Sequence, residues 1–258
     1  MKYFRLLLCG LLILSCKQEQ QVITLTAMDI VNKSIAISGG KQISNSAIDF
    51  TFRDKAYIAT REQGKFSLMR LSGDDSTGII IDELNNVGFT RRIGADKNGK
   101  FETVHVADSM IPKYSASVNS VHYFSVLPYG LNDEAVNKSL LGEEQIKGKT
   151  YYKVKVTFDK EGGGEDFEDV FIYWIDNITF KVDYLAYSYN EEDGKGMRFR
   201  EAFNERYIEG IRFVDYNNYK SQDSLVTLSE LGKSFNNDQL QQLSKIELEA
   251  ITVDLINF

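Results

Sequence analysis

The sequence predicts an α+β fold: a single strongly curved antiparallel β-sheet, a half-barrel of about eleven strands, with short helices packed on its concave face. Three observations predict it. From Lys149 to Lys220 strand-like runs follow one another with only short turns between them. Strands do not alternate with long helices, which disfavours doubly wound and (β/α)8 architectures. Residues 108–127 carry an apolar stripe at helical spacing, suited to filling the concave side.

The chain begins with a segment that is not fold. Lys2 and Arg5 precede the apolar run Leu6 to Leu14, too short to cross a bilayer, and Ser15 stands before Cys16. Ile13-Leu14-Ser15-Cys16 resembles a bacterial lipobox, which implies that Cys16 becomes the acylated first residue of the mature protein. The match departs from the usual pattern, with Leu expected three before the cysteine and a small residue two before it. The alternative is an ordinary secretory signal cut elsewhere. The expected organisation is a leader over 1–15, a polar tether over 16–24 and one domain over 25–258. Two prolines, 43% hydrophobic content and no linker-like stretch suit a single domain.

Past the leader only Cys16 remains, so no disulfide is possible within the chain and acylation would consume the one thiol. Removing Lys2 and Arg5 takes the net charge from −7 to −9. That acidity disfavours nucleic acid and anionic headgroups as nonspecific partners. The expected partner is the membrane, reached through the anchor, at the cell envelope and on the outer membrane.

Thr26-Ala27-Met28-Asp29 predicts a capping box opening a helix, with Leu25, Met28, Val31 and Ile35 on one face and Gly39-Gly40 ending it. Strands follow over 47–53, 55–61, 65–71, 77–84, 87–93 and 101–106, with Lys97-Asn98-Gly99 as one hairpin turn. Ile111, Tyr114, Val118, Val121 and Ser125 make the helical stripe, with Pro112 in its first turn. Asn132 to Leu140 reads as a further short helix. Within the meander, Tyr152, Val154, Val156 and Phe158 alternate with Tyr151, Lys153, Lys155 and Thr157. Val170 to Ile175 is apolar on both faces and belongs mid-sheet. Strands over 180–189, 197–207 and 211–219 complete it. Leu231 to Gln242 reads as loosely helical, and Ser244 to Val253 as a final strand.

Motifs of catalysis are missing: there is no phosphate loop, no G-x-S-x-G and no H-E-x-x-H, and no cofactor is implied. His105 and His122, with no cysteine nearby in sequence, make a poor metal set. The acidic turn over 159–169 offers oxygen ligands for Ca²⁺ but lacks EF-hand spacing, and a solvated turn explains it as well. Strand parity puts Arg198, Arg200 and Arg206 on one side and Phe199, Phe203 and Tyr207 on the other. Buried charges need partners, so these arginines make either a cross-strand ion-pair ladder with Arg212 and Asp215 nearby, or the polar end of a cavity that binds a carboxylate or phosphate headgroup. Aromatic residues crowd both faces of the meander, Trp174, Tyr184 and Tyr187 among them. Either helices cover both faces or a concave pocket persists. The candidate ligand-binding set is Tyr114, His122, Tyr123, Trp174, Tyr184, Tyr187, Arg198, Phe199, Arg200 and Phe203.

Two resemblances bear on this. The short amphipathic helix closed by Gly39-Gly40 and followed by strands is similar to the start of the LolA/LolB-like lipoprotein carriers, which implies a curved sheet wrapped around helices. The runs Asn119-Ser120-Val121-His122-Tyr123-Phe124, Leu127-Pro128-Tyr129-Gly130, Gly196-Met197-Arg198-Phe199 and Gly210-Ile211-Arg212-Phe213 resemble a family of Bacteroidota lipoproteins of unknown function. That resemblance implies an envelope location and brings no catalytic residues. Some relatives carry the label deoxyribose-phosphate aldolase, which would need a Schiff-base lysine with a depressed pKa; Lys153, Lys155 and Lys181 alternate on strands without a barrel pattern. The expected function is non-enzymatic binding of a lipid or acyl chain in the cavity of the sheet. The alternatives are an interaction lipoprotein with a filled core and, third, an enzyme.

Overall fold

The computed structural model describes residues 25–256 except 75, 77, 97, 98, 166, 192 and 193. The leader, Cys16 and the tether lie outside the described residues.

The chain opens with α1 (Ala27–Ile37) and α2 (Gly40–Ile43). The predicted capping box is present: Thr26 Oγ1 accepts from Asp29 N at 3.2 Å, and the Asp29 carboxylate accepts from Thr26 N at 2.9 Å. Of the expected face, Val31 is buried and Leu25 and Ile35 pack against the core, and only Met28 departs from it. Ile30, Val31 and Ser34 are buried, whereas Met28 is 48% exposed. Gly39 adopts φ 86° between the two helices, and a side chain there would strike the backbone of Gly210 and Ile211. Gly-Gly thus turns the chain into a second helix and does not simply end the first.

Six strands follow in up-and-down order: β1 (Ser46–Phe52), β2 (Lys55–Glu62), β3 (Lys65–Asp74), β4 (Gly78–Asn85), β5 (Gly88–Gly94) and β6 (Glu102–Val104). A 3-10 turn then leads into α3 (Ile111–Ser125), the predicted central helix. Beyond it come β7 (Val136–Ile146), β8 (Lys149–Phe158), β9 (Val170–Asp176), β10 (Val182–Glu191), β11 (Gly194–Ile208) and β12 (Ile211–Ser221). The short α4 (Leu231–Asn236) precedes β13 (Leu240–Ile246) and β14 (Glu249–Leu255).

The expectation of one sheet of about eleven strands is corrected here. The described strands form two antiparallel sheets of seven, in the orders β14-β1-β2-β3-β4-β5-β6 and β13-β12-β11-β10-β9-β8-β7. Two local causes account for this. Residues 132–140, expected as a helix, form the end of a 3-10 turn and then the start of β7, which pairs residue by residue along β8 with a bulge between Leu140 and Glu143. The segment over 244–253, expected as one strand, is broken by a bend into parts of two strands that belong to different sheets. The first, β13, pairs with β12, and the second, β14, returns to β1.

The bend is fixed electrostatically. Asp215, 2% exposed, accepts from Leu248 N at 3.0 Å and from Arg206 Nη2 at 2.9 Å, and Arg206 also donates to Leu248 O at 2.8 Å. Asn204, at φ 50°, supplies a third donor to Asp215 at 2.6 Å and marks a bulge in β11 between Phe203 and Arg206. The bulge moves Arg206 out of the side that simple alternation assigns it.

Three apolar clusters organise the interior. One lies between α1, Leu127, Leu131 and one face of the second sheet, including Val154, Tyr173 and Leu185. The second joins α2 and α3 to the first sheet through Ile43, Val118, Ile48, Phe50 and Tyr57. The third fills the opposite face of the second sheet, where Trp174 and Phe199 pack under Leu231 and Phe235 around α4. β9 is buried nearly throughout, as its two-sided apolar sequence requires.

Candidate functional site

α3 is the element around which the candidate site is built. Of its fifteen residues only Val118, His122 and Ser125 are buried. Val118 and Val121 turn toward the cluster on the first sheet, while Tyr123 and Phe124 pack on the cluster of the second. One helix therefore separates two apolar surfaces while being held mainly by its two edges.

His122 sits fully buried against Phe50 and Tyr57, with ring centroids 5.8 and 5.5 Å away, both edge-on. Its Nε2 lies 2.9 Å from Met69 O, so that nitrogen carries the proton and donates. Nδ1 is buried without a hydrogen-bond partner among the described residues. Burial holds the imidazole pKa down at about 4. This histidine is a neutral core group. Tyr114, one turn before Val118, stacks on Phe89 at 6.0 Å and lies 4.0 Å below the Arg91 guanidinium.

Tyr123 and Tyr187 line the second-sheet side of α3. Tyr123 places its hydroxyl 3.4 Å from that of Tyr173, and burial pushes its pKa up. Tyr187 stacks on Phe171 at 5.3 Å and accepts a hydrogen bond from Arg200 Nη2 at 2.9 Å. Arg200 is 9% exposed; its guanidinium lies 4.2 Å over Phe124 and 4.9 Å over Tyr187, while Nε has no partner among the described residues. Its charge is accommodated on ring faces, with no carboxylate within ion-pair distance among the described residues. Arg198 behaves similarly, 5.0 Å over Tyr189. Arg206 instead makes the ion pair with Asp215.

Trp174, Tyr184 and Phe199 lie on the other face of the second sheet, away from α3. Trp174 is fully buried, donates to Glu144 Oε2 at 3.1 Å and meets Phe199 at 5.5 Å. Tyr184 packs against Tyr151, Phe199 and Phe235. The ten candidate residues therefore do not form one site. Tyr114, His122, Tyr123, Tyr187 and Arg200 adjoin α3, and the Trp174 group belongs under α4. Helices cover both faces of the meander, the first of the two solutions that its aromatic content allowed.

Phe203 leads to a feature that sequence reasoning missed. The β10–β11 ladder runs from Glu191↔Gly194 to Tyr184↔Glu201. Just beyond, β10 is irregular between Val182 and Tyr184 and β11 bulges after Phe203. A cleft of about 360 Å³ opens there, lined by Phe203, Tyr184, Lys181, Asp183, Glu205 and Arg212 among others. Arg212 fills part of the gap, donating to Val182 O at 3.1 Å and pairing with Glu205. Lys181 is hydrogen-bonded to Glu205 at 2.7 Å, which raises its pKa, the direction opposite to that of a nucleophilic amine.

Arg61 was also missed. It is on the inward side of β2 by parity with Tyr57 and Ala59, a signal present in the sequence. Its Nη1 is buried and unpartnered among the described residues, and burial lowers its pKa. No group of three or more His, Cys, Asp or Glu suited to a metal occurs among the described residues; Asp166 of the acidic turn lies outside them.

Fold and site define an antiparallel two-sheet protein with a thinly seated helix between its apolar surfaces. The chain belongs to DUF6503, a family of unknown function, whose model matches residues 1–248. None of the curated proteins matches it. Among solved structures it is similar to a LolA superfamily protein of Nitrosomonas europaea, at 12% identity over 91% of this chain and 95% of that one, with TM-score 0.44. A DUF1329 family protein of Desulfovibrio piger gives 10% identity, 90% and 94% coverage and TM-score 0.43. The lipoprotein LppX of Mycobacterium tuberculosis gives 10%, 66%, 90% and 0.27.

Proposed function

We propose that this chain is a lipid-anchored envelope protein that binds a hydrophobic ligand, a lipid or acyl chain, between α3 and the sheets. The observation that carries the reading is the seat of α3. With three buried residues in fifteen, it covers Phe50, Tyr57 and Ile48 on one side and the ring cluster of Phe171 and Tyr187 on the other. Lifting it exposes contiguous apolar surface, which is what a hydrophobic ligand requires. The leader and Cys16 support the anchor and, with it, an outer-membrane location. In this reading His122, Tyr123, Tyr187 and Arg200 contact the ligand, Tyr114 flanks it, and the Trp174 group supports the sheet from behind.

One observation favours a filled-core interaction protein instead. The rings under α3 pack on each other, Phe124 at 6.1 Å from Phe171 and 6.0 Å from Tyr187. Native mass spectrometry of the protein purified from a Gram-negative envelope separates the two. A noncovalent lipid mass, released on denaturation while the anchor stays attached, is the expected result. A clean apo mass that persists after incubation with lipids would leave the filled-core reading in its place.

A further inference from the structure

A second cleft, of about 230 Å³, lies at the edge of α3 against the β1–β2 turn, lined by Arg53, Lys55, Tyr57, Arg70, Ser117 and Ser120, with Phe52 and Val121 as its apolar margin. It holds three cations and three hydroxyls, and no carboxylate among its lining residues. In a chain of net charge −7 such a patch runs against the average.

The carboxylates nearby are committed elsewhere or weakly held. Asp82 is buried and shared between Arg70, at 2.7 Å, and Arg91, at 2.6 Å, so this trio carries a surplus positive charge. Arg70 also donates to Ser117 Oγ at 2.6 Å, while its Nε is buried without a partner among the described residues. Because Ser117 accepts that bond, its own hydroxyl hydrogen remains available to donate. Among the described residues Lys55 pairs only with its neighbour Asp54 at 2.8 Å, whose side chain is 79% exposed, a surface pair that an incoming anion can displace. Arg53 lies 5.0 Å over Phe52 and has no ion pair among the described residues.

We propose that this cleft binds the anionic headgroup, a phosphate or carboxylate, of an amphiphile whose tail passes beneath α3. The proposal rests on the reading of α3 as a movable cover. Ser117, Ser120 and Val121 belong to α3, so the same helix would border both headgroup and tail. Arginine forks, a lysine and hydroxyl donors around a pocket without lining acids match the geometry of a tetrahedral or planar oxyanion.

The test is calorimetric titration of the full-length protein in amphipol, with empty amphipol as blank. The probes are dodecyl phosphate, 1-dodecanol and inorganic phosphate, applied to the natural protein and to the double variant Arg53→Gln, Lys55→Gln. Arg53 sits at an exposed turn, Lys55 is the half-exposed first residue of β2, and neither holds Asp82, so the variant should keep its fold, which its unchanged dodecanol binding verifies. Dodecyl phosphate should bind about tenfold or more tightly than dodecanol, and the double variant should erase that preference. Equal binding of the two overturns the headgroup site and leaves the cover reading standing. Binding of inorganic phosphate as tight as that of dodecyl phosphate, with no dodecanol binding, supports the anion site with free phosphate as its source and overturns the cover reading. Binding of none of the probes overturns both.

Discussion

Replacing His122 with Phe removes the imidazole at the centre of the α3 seat. In the folded protein this imidazole stays neutral until about pH 4, whereas in the unfolded chain it protonates near 6.5. Between those values the unfolded state binds more protons, so stability falls as pH drops from 6.5 toward 4 and loses nothing further below that. Integrated over the window, the linkage amounts to about 3 kcal/mol, and from pH 7 to pH 5 to about 2 kcal/mol. Arg61, the charged group facing the ring, acts in the same direction by repelling a second cation. The Phe variant loses the bond to Met69 O, a cost of about 1 kcal/mol at pH 7. It also loses the titration. Urea unfolding of both proteins at pH 7 and pH 5 isolates the effect, because every other titrating group is common to the two. The natural protein should lose about 2 kcal/mol more than the variant between these pH values. Parallel losses would show that His122 is not held neutral, and would refute the buried seat from which its role is argued.

Three further outcomes follow from named contacts. Trp174→Ala should cost about 3–5 kcal/mol in thermal or chemical unfolding, because the side chain is fully buried and Gly232 packs directly against its ring. Asp215→Asn should cost about 3 kcal/mol or more, since it leaves Arg206 unpaired at the bend between the sheets. In a series of alkyl ligands, affinity should rise about fourfold per methylene, read by competition against a fluorescent fatty acid; a flat series would exclude burial of the chain.

What the sequence disclosed and what it withheld divide along physical lines. The meander from β8 to β12 was legible because each strand carries its own alternation and each turn its own glycine or Asx residue, all local signals. The capping box at Thr26 and Asp29 was legible for the same reason. β7 was not, because Asn132 to Leu140 lacks strong alternation and becomes a strand through its partner β8. The split into two sheets was also hidden: it depends on Leu248 meeting Asp215, thirty-three residues away. At the candidate site, residue types were readable but their grouping was not. Trp174 and Tyr187 stand on neighbouring strands yet face opposite ways, and the bulge at Asn204 moves Arg206 off the side of Arg200. Positive φ at an asparagine inside a strand is a tertiary choice that no local pattern announces.

Whether α3 can yield to a ligand is a question of balance. Its seat on the first sheet buries Val118, with Val126 just past its end, worth about 1.5–3 kcal/mol each. Against that, the closed arrangement leaves His122 Nδ1 and Arg61 Nη1 buried without partners among the described residues, each a cost of about 1–3 kcal/mol that opening to water removes. Those costs offset part of the hold, to which Val121, Tyr123, Phe124 and the His122 bond to Met69 O also contribute, and a ligand would set against it about 0.8 kcal/mol per buried methylene. Some ten methylenes contribute about 8 kcal/mol, whereas four or five contribute about 4 kcal/mol, no more than the low end of the cost of association itself. If α3 is the cover proposed above, burial at this rate per methylene would favour long chains over short ones.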